Sequence, residues 1–154
     1  MIFWIERAFK DEYLNSANND GLRCKYPINF DAQTKIGVSG FIRFIRKKYY
    51  FPIRLCVEFF DKTHFVNTVE GHKYYGIFYD GDAQKNIYPK IFIASRLAES
   101  NPLEDVLFSI AHEITHYYQW YFMEDTERTD RSLEIEANKW AKYILHNYLS
   151  TQNQ

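Results

Sequence analysis

An α+β domain is the fold class predicted for this 154-residue chain, and three observations predict it. The hydrophobic period changes from helical to alternating near Pro52. Three short strand-like segments follow, and two long amphipathic segments close the chain. The resulting order, helix, strand, strand, strand, helix, helix, predicts a small three-stranded, mostly antiparallel sheet with helices packed on one face. The length suits a single domain over 1–154, with 1–33 as an N-terminal helix and loop extension and 34–154 as the core.

Each element has its own signal. Ile2, Ile5, Phe9 and Tyr13 space a short amphipathic helix over 2–16, and the polar stretch from Ala17 to Gln33, with Gly21 and Pro27, reads as a surface connection. Thr34 to Tyr50 is helical, with Val38, Phe41, Ile42 and Ile45 inward and Arg43, Arg46, Lys47 and Lys48 outward, and Pro52 ends it. Ile53, Leu55, Val57 and Phe59 alternate with Arg54, Cys56, Glu58 and Phe60 as a strand. Tyr74 to Asp80 and Lys90 to Ser95 read as two more, joined through Asp80-Gly81 and a polar loop. Asn101-Pro102-Leu103-Glu104 is a helix start, with Asn101 as N-cap and Glu104 placed for a capping box. Leu103, Val106, Leu107, Ile110, Ile114, Tyr118 and Tyr121 then form one apolar stripe. In the last helix the stripe is Leu133, Ala137, Trp140, Ala141, Ile144 and Tyr148, with Thr129 or Asp130 as cap.

His112-Glu113-Ile114-Thr115-His116 lies within the first of these two helices and carries the chemistry. Histidines four apart stand one turn apart on one face, with Cβ atoms roughly 5–6 Å from each other, so both rings can close on one tetrahedral zinc. Both fall nearly opposite the apolar stripe, where a core histidine has no reason to be. Glu113 is turned about 100° from His112, poorly placed to share the metal but able to reach a water there. This is the H-E-x-x-H signature of zinc peptidases, in which the carboxylate is the general base. A catalytic zinc takes a third protein ligand and leaves the fourth position open. Glu134 and Glu136 both stand beside the stripe of the last helix, and spacing alone leaves the choice between them open.

The pair of segments His112–His116 and Glu134-Ile135-Glu136-Ala137-Asn138 resembles the gluzincin pattern H-E-x-x-H followed by E-x-x-A-(N/D), most like the ImmA/IrrE family of small metallopeptidases, often encoded by phages and mobile elements. The resemblance implies Glu134 as third zinc ligand and Asn138 as a supporting residue. It implies a minimal zincin-like fold in which the last strand before the metal helix, here Ile91-Phe92-Ile93-Ala94, lines the cleft and pairs with an extended substrate. Members often carry another His shortly after the first motif, where this chain has Tyr117, Tyr118, Gln119 and Trp120. The implied activity is zinc-dependent hydrolysis of a peptide bond in a protein substrate, the natural target being one regulator. Zinc would bring a bound water toward a pKa of about 7, with Glu113 as base and then acid. Tyr117, Tyr118, Tyr143, His64, His72 and Arg131 have the chemistry to stabilise an oxyanion.

Other features bound the function. A net charge of −1 gives no global field for nucleic acid or anionic membrane, so neither is an expected partner. No signal peptide or membrane span is legible, and a cytoplasmic setting is the expectation. Two alternatives stand beside the peptidase: a non-catalytic zincin-like binding or sensing module, and a DNA-associated regulatory protease tethered by Arg43–Lys48. Cys24, flanked by Arg23 and Lys25, is either a small buried hydrophobe or a thiolate latch on the zinc. Aromatic residues make up 19% of the chain, enough to serve both a core and a peptide groove.

Overall fold

A computed structural model describes residues 21–122 and 128–152. The elements in order are β1 (Leu22–Lys25), α1 (Ala32–Lys48), β2 (Leu55–Phe60), β3 (Phe65–Val66), β4 (Lys73–Tyr74), β5 (Gly76–Tyr79), β6 (Lys90–Ala94), α2 (Leu103–Phe122) and α3 (Asp130–Gln152). The expected α+β class holds, but the sheet differs from the three-stranded, mostly antiparallel one. Four strands lie in the order β1-β2-β6-β5, and β3 with β4 forms a separate two-stranded antiparallel sheet. β1, β2 and β6 run parallel, and only β5 is antiparallel, to β6.

Connection lengths explain the difference. A parallel pair needs a crossover of a dozen or more residues, which α1 supplies between β1 and β2. β2 and β6 are likewise separated by the whole excursion through β3, β4 and β5. β1 falls in the stretch that reads as a surface connection because only Leu22 of its four residues is buried, too little for alternation to show. The strand expected over Tyr74–Asp80 divides at Tyr75, with Lys73–Tyr74 pairing to β3 and Gly76–Tyr79 joining the main sheet. The helix expected over 2–16 lies outside the described residues.

The caps are partly those expected. Asp31 caps α1, its Oδ2 accepting from Thr34 N–H at 2.9 Å and from the Thr34 hydroxyl at 2.8 Å. Thr129 caps α3, its Oγ1 accepting from Ser132 N–H at 3.1 Å. Asn101 does not cap α2: it is fully buried, and its amide donates to the carbonyls of Ala94 and Arg96 at 3.2 and 3.3 Å. Its side chain therefore ties the end of β6 to the start of α2.

The core lies on one face of the sheet. Leu55, Val57 and Phe59 of β2 with Ile91 and Ile93 of β6 are buried against Val38, Phe41 and Ile42 of α1, the α2 stripe, and Trp140, Ala141 and Ile144 of α3. Cys56, Glu58 and Phe60 alternate outward and are half-buried. Two core tyrosines of α2 close backbone gaps. Tyr117 donates to the Ile53 carbonyl at 2.8 Å and accepts from Ile53 N–H at 3.0 Å, while Tyr118 donates to the Tyr50 carbonyl at 2.6 Å. Both hydroxyls are thus committed to backbone, which removes them as oxyanion donors. The basic cluster of α1 is also partly committed, since Arg46 Nε donates to the Leu22 carbonyl at 2.9 Å and clamps α1 to β1.

Removing the Tyr117 hydroxyl strands two buried backbone groups of Ile53. Tyr117→Phe should lower unfolding stability by about 1–3 kcal/mol in urea titration. The same change at exposed Tyr143 should leave the midpoint nearly unmoved.

Candidate metal centre

Helix α2 presents its apolar stripe to the core and the opposite face to a cleft of about 1530 Å³ walled by β5, α2 and α3. His112 and His116 stand on that second face with their Nε2 atoms 3.2 Å apart. Helix α3 packs across α2 and brings Glu134 to both rings, Oε2 3.1 Å from His112 Nε2 and Oε1 2.8 Å from His116 Nε2. Glu136, left open by spacing, points elsewhere: its Oε1 accepts from Arg128 and from Gln119. Asn138, one turn beyond Glu134, also lines the cleft.

His112, Glu113 and His116 form a group that could hold a metal ion, with ligand atoms within 4.8 Å of one another. Within it Glu113 is the outlier, its Oε2 3.8 Å from His112 Nε2, so Glu134 lies closer to the imidazoles than Glu113 does. Burial holds His112 below the ordinary imidazole pKa and the His116 charge adds to this, while Glu134 and the nearby Asn138 side chain act in the opposite direction. A neutral ring is the form that ligates. Two imidazole nitrogens and a carboxylate converging at such distances place lone pairs against one another, an arrangement that a cation between them, proton or metal, relieves.

Glu113 is 7% exposed. Burial, with the Glu134 charge second, pushes its carboxyl up to about 8. The strand β5 makes this possible. A Cβ on Gly76 would lie 3.0 Å from Glu113 Cγ and 3.1 Å from Ile93 Cδ1, so a larger residue here would have to push those side chains back, and glycine lets the strand lie close over the carboxyl.

The substrate strand expected at Ile91–Ala94 is not an edge. β6 lies between β2 and β5 with both sides paired, so it has no free main-chain row to offer. The edge that lines the cleft is β5, whose Gly76, Ile77 and Phe78 face it. Among the suggested oxyanion donors, only His72 lines the cleft, at its rim beside Glu70. The Cys24 latch is excluded by position. β1 is the opposite edge of the sheet, two strands and roughly 14 Å from β5, and burial raises the thiol pKa rather than favouring thiolate.

Sequence reasoning missed Gln119. It is 4% exposed, and its Oε1 lies 2.7 Å from His116 Nδ1. The only signal was its position three residues after His116, on the same helix face. No helix among the described residues is long and apolar enough to cross a membrane. The chain matches no family model, no curated protein and no solved structure.

The raised Glu113 pKa has a consequence for the metal-free protein. In the unfolded chain this carboxyl ionises above its ordinary value of 4.5, whereas in the folded chain it stays protonated until about 8. Stability is therefore lost progressively as pH rises from 4.5 to 8. Glu113→Gln removes the titration, so the metal-free variant should match wild type near pH 4.5 and exceed it by roughly 2–4 kcal/mol at pH 8. Chemical denaturation at the two pH values reads the difference.

Proposed function

We propose that this chain is a small zinc-dependent endopeptidase of gluzincin type, resembling the ImmA/IrrE family, that cleaves a peptide bond in a protein substrate. The observation that carries the reading is the convergence of His112 Nε2 and His116 Nε2, 3.2 Å apart, on the Glu134 carboxylate, whose Oε2 lies 3.1 Å from the first and Oε1 2.8 Å from the second. Ligand atoms at 2.0–2.1 Å around a tetrahedral zinc stand roughly 3.3–3.4 Å apart, so the two imidazole nitrogens already have nearly the separation of two zinc ligands. Two imidazoles and one carboxylate are also the donor set of catalytic zinc sites, with three protein ligands rather than four. Zinc in this place would polarise the scissile carbonyl and bring water into an ionisable range near neutral pH.

The remaining work falls to the chain's own groups. Glu113 would take the proton of the attacking water and return it to the departing amine, the charge of a bound zinc favouring its carboxylate over the protonated form that burial favours in the metal-free chain. Gly76 keeps that carboxyl pressed beneath β5. The outer edge of β5, unpaired among the described residues, offers main-chain pairing to an extended substrate, which would align the scissile bond along α2. Phe78, Phe108 and Trp120 provide apolar walls. The cleft lining also carries Glu70, Asp80, Asp105 and Asp130 besides Glu113 and Glu134 and, among the described residues, neither Lys nor Arg. That charge favours segments rich in Lys and Arg. The family resemblance favours a single regulatory protein as the target.

Glu113→Gln should retain about one equivalent of zinc by elemental analysis, while cleavage of a random-sequence peptide library, read by mass spectrometry, falls by roughly 10²–10⁴-fold. Glu134→Ala should lose the zinc. Retained proteolysis by Glu113→Gln would remove the mechanism, and equal zinc in Glu134→Ala would remove the third ligand.

A further inference from the structure

We infer that Gln119 is a positioning residue that sets the tautomer of His116 and thereby makes its Nε2 available to a metal. The inference rests on the zinc reading for its purpose but not for its geometry. A glutamine amide is nearly symmetric in shape, so its orientation is decided by what its two ends face. The Nε2 end of Gln119 lies 2.9 Å from the Leu133 carbonyl and 2.9 Å from Glu136 Oε1. Both are acceptors, so the NH₂ group must be there and the carbonyl oxygen must face His116.

That oxygen is 2.7 Å from His116 Nδ1 and can only accept. Nδ1 therefore carries a proton. In a neutral ring this leaves Nε2 with its lone pair, and Nε2 is the nitrogen 2.8 Å from Glu134 and 3.2 Å from His112 Nε2. The orientation is enforced from further out. Arg128 Nη1 donates to Glu136 Oε1 at 2.9 Å, and its Nη2 donates to the Ser132 hydroxyl and carbonyl at 3.1 and 3.3 Å. A guanidinium only donates and a carboxylate only accepts, so the chain Arg128–Glu136–Gln119–His116 has one self-consistent assignment of donors. Gln119 is 4% exposed, which leaves little room for solvent to replace a link.

His112 is held differently, with the Asn138 side chain beside the ring. Its Nδ1 is buried without a hydrogen-bond partner among the described residues. The two rings are thus held unequally, and loss of Gln119 acts on His116 alone. The bland alternative is that Gln119 merely packs α2 against α3, in which case an apolar side chain of similar size serves as well.

The test uses the full chain and zinc ion. Gln119→Leu keeps the volume and removes the acceptor. It should weaken zinc binding by about 10–100-fold in competition against a chelator. In metal-free protein, long-range ¹H–¹⁵N spectra should show His116 Nδ1-protonated in wild type and a mixture in the variant. Gln119→Met keeps the unbranched shape and likewise removes the acceptor. It should show the same loss of affinity and of the single tautomer, and it carries the test if Gln119→Leu does not fold. Wild-type zinc affinity in Gln119→Leu, or a His116 in wild type whose Nδ1 carries no proton, overturns the inference. If wild type binds no zinc, the zinc reading fails, and the tautomer of the metal-free protein still decides the role of Gln119.

Discussion

The packing of α2 across α3 is the contact from which the candidate site follows. His112 and His116 are neighbours by helical geometry alone, but Glu134 is 22 residues from His112 and meets it only because the two helices cross at that level. The crossing is fixed on one side by apolar residues, Ile114, Tyr118 and Tyr121 with Ala137, Trp140 and Ala141 in a shared core. On the other side it is fixed by polar bonds, in which Gln119 joins the Leu133 carbonyl and the Glu136 carboxylate. Apolar contact sets the distance between helices but tolerates sliding. Directional hydrogen bonds remove that freedom, so the register of Glu134 against the two rings is set by the polar side.

The same arrangement holds several groups in environments that do not favour them. A carboxyl is buried under β5, and two imidazoles and a carboxylate converge within hydrogen-bonding distance. Each costs stability in the metal-free chain, and the surrounding core must supply the difference. Tyr117 and Tyr118 belong to that supply. They are fully buried, meet Phe51 as tilted ring pairs, and saturate backbone groups of the segment entering β2. The aromatic richness of the chain therefore divides by location: rings such as Phe41, Phe59, Tyr117 and Tyr118 are core, whereas Phe78, Phe108 and Trp120 also border the cleft.

What was legible in the sequence was what is local along the chain. The i, i+4 histidines, the apolar stripes of α2 and α3, and the alternation of β2 each depend on residues a few positions apart, and each has a physical period. Pairing partners are not local, so the parallel sheet, the interior position of Ile91–Ala94 and the edge position of β5 were out of reach. Asn101 misled for a related reason. Its sequence context is that of a cap, but burial beside Ala94 and Arg96 turns its NH₂ onto their carbonyls, and in that orientation its Oδ1 meets no helix N–H among the described residues. The choice between Glu134 and Glu136 turned on how α3 is rotated against α2, to which spacing is blind. Gln119 was invisible because its role lies in two acceptors contributed by another helix.

Gly76 shows how closely the strand layer and the helix layer are coupled. β5 is the last strand of the sheet, and its antiparallel pairing with β6 is set by the register Gly76↔Ile93. That register puts the one residue without a side chain over Glu113, with Phe78 two positions on beside Tyr117 and Trp120. A slip of one residue would bring a side chain onto the carboxyl and turn Phe78 to the other face of the sheet. The burial that raises the Glu113 pKa and the outer edge that borders the cleft are therefore consequences of one strand register. The position of the carboxyl is decided by the sheet as much as by the helix that carries it.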